Sequence, residues 1–129
     1  MRIVGIGTDI TEIDRIGKMV ERHADHFLQR VYTEAELLYS TKKKQQNQHL
    51  AGRWAAKEAV LKALGTGWIA GITWKDVEVL NESGGKPTIV LSGGAKTIAD
   101  SLSISQIQIS ISHCDLYAVA YAVALGDDL

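Results

Sequence analysis

Cysteine is almost missing from this sequence: Cys114 is the only one in 129 residues. That excludes an intrachain disulfide and a cysteine cluster for zinc, and it suits a reducing compartment. Neither sign of charge dominates. Lys and Arg number 14 against 15 Asp and Glu, a formal net charge of −1, which argues against a general nucleic-acid binder. No apolar run reaches the roughly 20 residues of a membrane-spanning helix. The longest, Leu116 to Leu125, reads as a buried strand. Met1 to Gly5 lacks the apolar region of a secretory signal, so a cytoplasmic protein with no membrane role is expected. Several motifs are missing too. Gly65-Thr66-Gly67 follows a helix instead of opening one with Gly-Lys-Ser/Thr, so it is no phosphate loop. There is no Gly-x-Ser-x-Gly nucleophile elbow. His23 and His26 are three apart, but no further histidine or cysteine completes a zinc site. Repeats, linkers and low-complexity tracts are absent. What remains is a chain of 14.0 kDa, 46% hydrophobic, read as one domain over residues 1–129 with one real core.

The elements follow from periodicity. Arg2 to Ile6 reads as a short strand ending at Gly5 and Gly7, with Asp9 just beyond it. Thr11 is the candidate cap of a helix over Glu12 to His23, with Ile13, Ile16 and Val20 as its apolar stripe. Phe27, Leu28 and Val31 suggest a further helical turn. Thr33-Glu34-Ala35-Glu36 is a capping box opening a helix with Leu37 and Leu38 inward. Thr41 to His49, containing Lys42-Lys43-Lys44, is a loop or a solvated helix start. Thr73 to Leu80 and Thr88 to Leu91 form a hairpin around Asn81–Pro87. Gly93-Gly94 opens a helix with Ala95, Ile98, Ala99 and Leu102 inward. Ile107, Ile109 and Ile111 alternate with polar residues in a half-buried strand. In the last strand Tyr117, Val119, Tyr121 and Val123 line one face and Ala118, Ala120, Ala122 and Ala124 the other. The expected class is α+β, a mostly antiparallel sheet packed against helices.

The chemistry concentrates in a helix over Arg53 to Leu64, closed by Gly65. Glu58 and Lys62 lie one turn apart on one face, with Trp54 a turn earlier. Spacing alone leaves two readings: an exposed ion pair, or a metal-ligating carboxylate beside a phosphate-binding lysine. Asp9 and Glu58 together would suit a hard cation such as Mg²⁺. Arg15, Lys18 and Arg22 share a helix face, either solvated or a docking strip for an acidic partner.

Three segments in order carry a resemblance: Gly5-Ile6-Gly7-Thr8-Asp9-Ile10, then Arg53-Trp54-Ala55-Ala56-Lys57-Glu58-Ala59-Val60-Leu61-Lys62-Ala63-Leu64-Gly65-Thr66-Gly67, then Gly85-Lys86-Pro87. They resemble the holo-acyl-carrier-protein synthases, the short bacterial type of 4′-phosphopantetheinyl transferase. G-x-D paired with K-E-A-x-x-K is specific; either half alone is weak. The resemblance implies that fold and the transfer of 4′-phosphopantetheine from coenzyme A to a serine of apo acyl carrier protein. It implies Asp9 and Glu58 as Mg²⁺ ligands and Lys62 as the third catalytic residue, at the pyrophosphate. For the coenzyme it implies Lys44, Arg53, Lys62, Gly65, Gly85, Lys86, Pro87, Ser112 and His113. Arg15, Lys18, Met19 and Arg22 would dock the carrier. A homotrimer with sites between subunits is implied as well. For the serine proton, Glu58, a metal-bound water and Lys62 all stand as acceptors. An alternative of another class is a non-catalytic carrier-binding module of the same fold, which would not need Asp9, Glu58 and Lys62 together.

Overall fold

The computed structural model describes residues 1–69 and 71–128. In chain order the elements are β1 (Arg2–Glu12), α1 (Ile13–Val31), α2 (Glu34–Thr41), α3 (Gln46–Leu64), a 3₁₀ turn (Trp74–Asp76), β2 (Val77–Asn81), β3 (Pro87–Leu91), α4 (Gly93–Ser101), β4 (Ile104–His113) and β5 (Tyr117–Gly126). The strands form two antiparallel sheets, β1-β5-β4 and β2-β3. No helix of the described residues is long and apolar enough to cross a membrane.

The alanine face of β5 explains the architecture. Ala118, Ala120, Ala122 and Ala124 are fully or almost fully buried, and α3 lies across them. α3 answers with small residues of its own, the buried Ala55, Ala56, Ala59 and Ala63. β1 makes room in the same way. A Cβ on Gly5 would sit 2.0 Å from the Ala63 carbonyl oxygen, and one on Gly7 would sit 2.0 Å from that of Ala59. Both glycines are therefore inside β1 instead of closing a short strand, and the strand runs on through Asp9 to Glu12. Ladder pairing with β5 continues through Asp9↔Ala120 and Glu12↔Tyr117, which holds this stretch extended where a loop was expected.

α1 has two parts, as the gap between its apolar residues suggests. Ala24, at φ 36° and ψ −120°, breaks the helix just past His23. Thr11 does not cap it; the N-cap is Glu12, which makes no side-chain cap bond. The Thr33 capping box forms, but of the two leucines expected inward only Leu37 packs on the core, while Leu38 is exposed. An 8-residue helix has a narrow buried stripe, and here it goes to Glu36 and Ser40. The second sheet begins at Val77, because a Thr73–Asp76 capping box winds the preceding residues into the 3₁₀ turn. Val77 and Val79 share one face of β2 and are buried. At α4, Ala95 and Ala99 are buried and Ile98 packs on the core, whereas Leu102 caps the helix at the surface.

A buried ion pair ties these parts together. Lys57 Nζ lies 2.9 Å from Glu36 Oε1, and neither side chain is exposed. Lys57 also donates to the carbonyls of Trp74 and Val77. Glu36 accepts from Thr33 N and Val79 N, each at 2.8 Å. Burial pushes the Lys57 pKa down, and the Glu36 carboxylate opposes that shift. α2, α3, the 3₁₀ turn and β2 thus meet at one saturated polar knot, the condition under which a buried pair is tolerated.

Overpacking at the strand–helix contact should be costly, because the obstacle is backbone. Gly7→Ala is expected to lose roughly 3 kcal/mol of stability, read by urea unfolding. Wild-type stability in that variant would mean that α3 does not rest on β1 at this point.

Candidate active site

Asp9 shares the inner face of β1 with Gly5 and Gly7, so the close approach of α3 brings it to Glu58 and Lys62. Lys62 Nζ donates to the Thr8 carbonyl at 2.9 Å and lies 3.4 Å from Asp9 Oδ1. Asp9 is largely covered and Lys62 about half exposed, at 16% and 54% of their side-chain surfaces, so the lysine reaches over the carboxylate from the open side. The other Asp9 oxygen, Oδ2, accepts the Thr11 hydroxyl at 2.7 Å. Glu58 Oε1 accepts the indole N–H of Trp68 at 3.3 Å.

The electrostatics are those of two carboxylates partly withdrawn from water. Burial raises the Glu58 pKa above the usual carboxylate range. The Trp68 hydrogen bond counteracts this, the Asp9 charge adds to it, and Lys62 and Arg15 pull it back, with a net rise. Two anions held together beside a single lysine favour a further cation. Among the described residues no group of three or more His, Cys, Asp and Glu assembles to hold a metal. The donor set is therefore two carboxylates on separate elements. It fits Mg²⁺, which typically takes one or two carboxylates with waters and phosphate oxygens. It does not fit zinc, which takes nitrogen and sulfur ligands in closed sites.

The remaining candidates lie elsewhere on the chain. Lys44 lines a cleft of about 570 Å³ with Ile13, Gln45 to Gln48 and Asp115. His113, at the end of β4 next to the exposed Ser112, contacts Gln48 Nε2 through Nδ1 at 2.6 Å. Lys86 and Pro87 line a cleft of about 490 Å³ between β3, α4 and β4, which Asp9, Glu58 and Lys62 do not touch. Gly85, at φ 93°, makes the turn before them. Its carbonyl accepts from Asn81 Nδ2 at 2.9 Å, and Asn81 in turn accepts from Arg53. Arg53 is buried against the Tyr39 ring, 4.3 Å from its centroid, so it reaches this turn only through Asn81. Gly65 takes the expected left-handed conformation at the end of α3, at φ 79°. Arg15, Lys18 and Arg22 are exposed on α1, but Met19 is half-buried and packs on the core below.

A profile of the 4′-phosphopantetheinyl transferase superfamily matches residues 5–122. The chain belongs to that superfamily. The holo-[acyl-carrier-protein] synthases of Alkaliphilus oremlandii and Caldanaerobacter subterraneus are 49% and 47% identical to it over 123 residues. Those alignments cover 95% of this chain, and 99% and 95% of theirs. Among solved structures, the synthase from Neisseria meningitidis superposes with a TM-score of 0.87 at 31% identity, over 96% of this chain and 99% of that one. The Helicobacter pylori synthase, solved in complex with coenzyme A, gives 0.83 at 33% identity, over 93% and 99%. The α+β class is shared with these relatives.

In this phosphopantetheinyl transferase, sequence reasoning missed the side chains that hold the carboxylates. Thr11 was read as a helix cap, since a threonine before a helical stretch has that meaning locally. Trp68 follows the helix-closing glycine and falls in no pattern. Its role depends on stacking with Trp74, at 4.0 Å between centroids, and Trp74 stacks on Trp54 at 4.2 Å. Lys57 and Glu36 each belong to a local motif, but nothing in the sequence pairs them.

The causes of the Glu58 shift carry signs that can be checked on metal-free protein by NMR titration of a labelled glutamate carboxyl. Its midpoint should lie above the ordinary value of about 4.3. Asp9→Asn should lower it, by removing a neighbouring negative charge. A wild-type midpoint at the ordinary value, or no response to Asp9→Asn, would contradict the coupling of the two carboxylates.

Proposed function

We propose that this protein transfers 4′-phosphopantetheine from coenzyme A to a serine hydroxyl of an apo acyl carrier protein, with Mg²⁺, releasing adenosine 3′,5′-bisphosphate. The observation that carries the reading is the meeting of Asp9 with Glu58 and Lys62, from segments about fifty residues apart, in a chain that belongs to the superfamily. The full-length likeness to named synthases supports the same activity. In the reaction a bond forms between the serine oxygen and the β-phosphorus of coenzyme A. The bond from that phosphorus to the bridging oxygen breaks, and the serine proton leaves.

Asp9 and Glu58 hold Mg²⁺, which when bound neutralises charge on the pyrophosphate. Lys62, fixed by the Thr8 carbonyl and Asp9, presents a positive charge to the same phosphates. Such stabilisation acts by position and needs no rearrangement during reaction. Lys44 and His113 with Ser112, and the Gly85-Lys86-Pro87 turn supported by Arg53, take the rest of the coenzyme. The exposed Arg15, Lys18 and Arg22 receive the acidic carrier, with Met19 anchoring the strip from below. A non-catalytic binding module would have no use for Asp9, Glu58 and Lys62 in one place. The free, exposed Cys114 fits a cytoplasmic setting.

The working form is a homotrimer with each site completed by two chains. The outer face of the β1-β5-β4 sheet supports this. Ile6 and Ile10, 70% and 64% exposed, and Tyr121, 59% exposed, form an apolar surface on the side opposite α3. Covering it would contribute about 25 cal/mol per Å² of apolar area. The turn bearing Lys86 and the three residues around Asp9 do not share a cleft within one chain, which also supports assembly from two.

One transfer assay, read by mass spectrometry of the carrier, tests the chemistry and the docking together. Asp9→Ala and Glu58→Ala should each lower transfer by at least about 100-fold while the chain stays folded. Arg15→Glu with Arg22→Glu should raise the KM for carrier several-fold, and the wild-type KM should rise with salt. Full activity of the alanine variants in chelator-treated buffer would sink the metal assignment, and a salt-independent KM would sink the docking strip.

The shared site predicts complementation. Glu58→Ala chains mixed and reassembled with Lys86→Ala chains should recover part of the activity that each lacks alone. A monomer by light scattering, fully active at assay concentration, would defeat both the trimer and the shared site.

A further inference from the structure

Each carboxylate of the candidate metal pair has one oxygen tied to a neutral donor from a residue outside the catalytic set. We infer that Thr11 and Trp68 are positioning residues, fixing Asp9 and Glu58 so that one oxygen of each is left for the cation. The inference rests on the Mg²⁺ reading given above.

Thr11 stands two residues after Asp9 on the same face of β1. It is 3% exposed, so its hydroxyl has no water to bond and needs a protein partner. α1 does not supply one, since its first turn is uncapped by side chains. The hydroxyl goes to Asp9 Oδ2 at 2.7 Å, and Oδ1 is left on the side of Lys62. A carboxylate with one oxygen bound has lost most of its freedom to rotate about χ2.

Trp68 acts on Glu58 from the connection that follows α3, outside any helix or strand. Its ring is held instead by the stack. Trp54 and Glu58 are one turn apart on α3; Trp54 packs on Trp74, Trp74 on Trp68, and Trp68 donates its indole N–H to Glu58 Oε1. The chain of contacts leaves α3 at one residue and returns to it one turn later. Among the described residues Glu58 accepts no other side-chain bond, so Oε2 stays available. Donors of this kind orient metal ligands, and their removal typically weakens metal binding 10- to 100-fold.

The experiment is calorimetric titration of the coenzyme-free trimer with Mg²⁺, for wild type, Thr11→Val, Thr11→Ser, Trp68→Phe, Asp9→Ala and Glu58→Ala. Thr11→Val and Trp68→Phe should each weaken Mg²⁺ binding roughly 10-fold, and Thr11→Ser should restore it. The KM for Mg²⁺ in transfer should rise in parallel, with kcat at saturating metal nearly unchanged. If Asp9→Ala and Glu58→Ala lose Mg²⁺ while Thr11→Val and Trp68→Phe bind it like wild type, the inference fails and the metal site stands. If Asp9→Ala and Glu58→Ala bind it like wild type, the metal site fails and takes the inference with it. Should Trp68→Phe not fold, tryptophan emission decides for that residue. Mg²⁺ should shift it in wild type and not in Glu58→Ala, and an unchanged wild-type emission overturns the role of Trp68.

Discussion

The close passage of α3 over the sheet is the constraint on which the rest of this structure depends. Helix backbone meets strand backbone at Gly5 and Gly7, with no side chain between them. On β5 the spacer is a row of methyl groups from Ala118 to Ala124. Such an interface gives little apolar area per residue, but it fixes separation and register tightly, because backbone atoms do not yield as side chains do. That rigidity sets how Asp9 on β1 stands relative to Glu58 and Lys62 on α3. A helix riding on larger residues would stand further from β1, and Asp9 would no longer lie beside Lys62.

The same helix has few residues to spare for a separate apolar stripe. α3 is buried on most sides, against the sheet, α1, α2 and β2, and its buried set includes Lys57 and Arg53. Lys57 has a partner for each of its donors, whereas Arg53 keeps Nε buried without one. Lys57 meets Glu36 and two carbonyls, while Arg53 meets Asn81 and the Tyr39 ring. A buried lysine without such partners would be driven toward its neutral form. The cationic residues of α3 therefore divide by environment: Lys57 and Arg53 hold elements together in the interior, and Lys62 lies on the open side, beside Asp9.

The site inherits its layout from these supports. Its carboxylates come from an edge strand, β1, paired along its length with β5, and from the most buried helix, α3, and its aromatic support comes from a glycine-rich segment held by ring stacking. The Gly85-Lys86-Pro87 turn sits on the other sheet and borders a different cleft. The outer face of the β1-β5-β4 sheet, with Ile6, Ile10 and Tyr121, stays exposed and apolar in the single chain.

Local rules made much of this legible in the sequence. The alternation of β5, the valines of β2, the Thr33 capping box, the Gly65 terminus of α3 and the two-part character of α1 all follow from interactions within a few residues, whereas Asp9, Glu58 and Lys62 are linked only through the family resemblance of their two motifs. Other features depended on contacts between distant segments, for which a linear pattern carries no signal. Gly5 and Gly7 read as strand ends because glycine is a turn former, until the path of Ala59 and Ala63 shows what they accommodate. Thr11 read as a cap because the carboxylate it binds is defined only once β1 continues past it. Glu36 with Lys57, and Trp68 with Glu58, are pairings that exist only after α3 has been laid against α2 and the Trp54–Trp74 stack has formed. The sequence by itself determined where most helices and strands lie and which reactive residue types are present; the tertiary structure decided how far β1 runs and which of those groups meet, because hydrogen bonds and backbone clashes act over a few ångströms in space, whatever the distance along the chain.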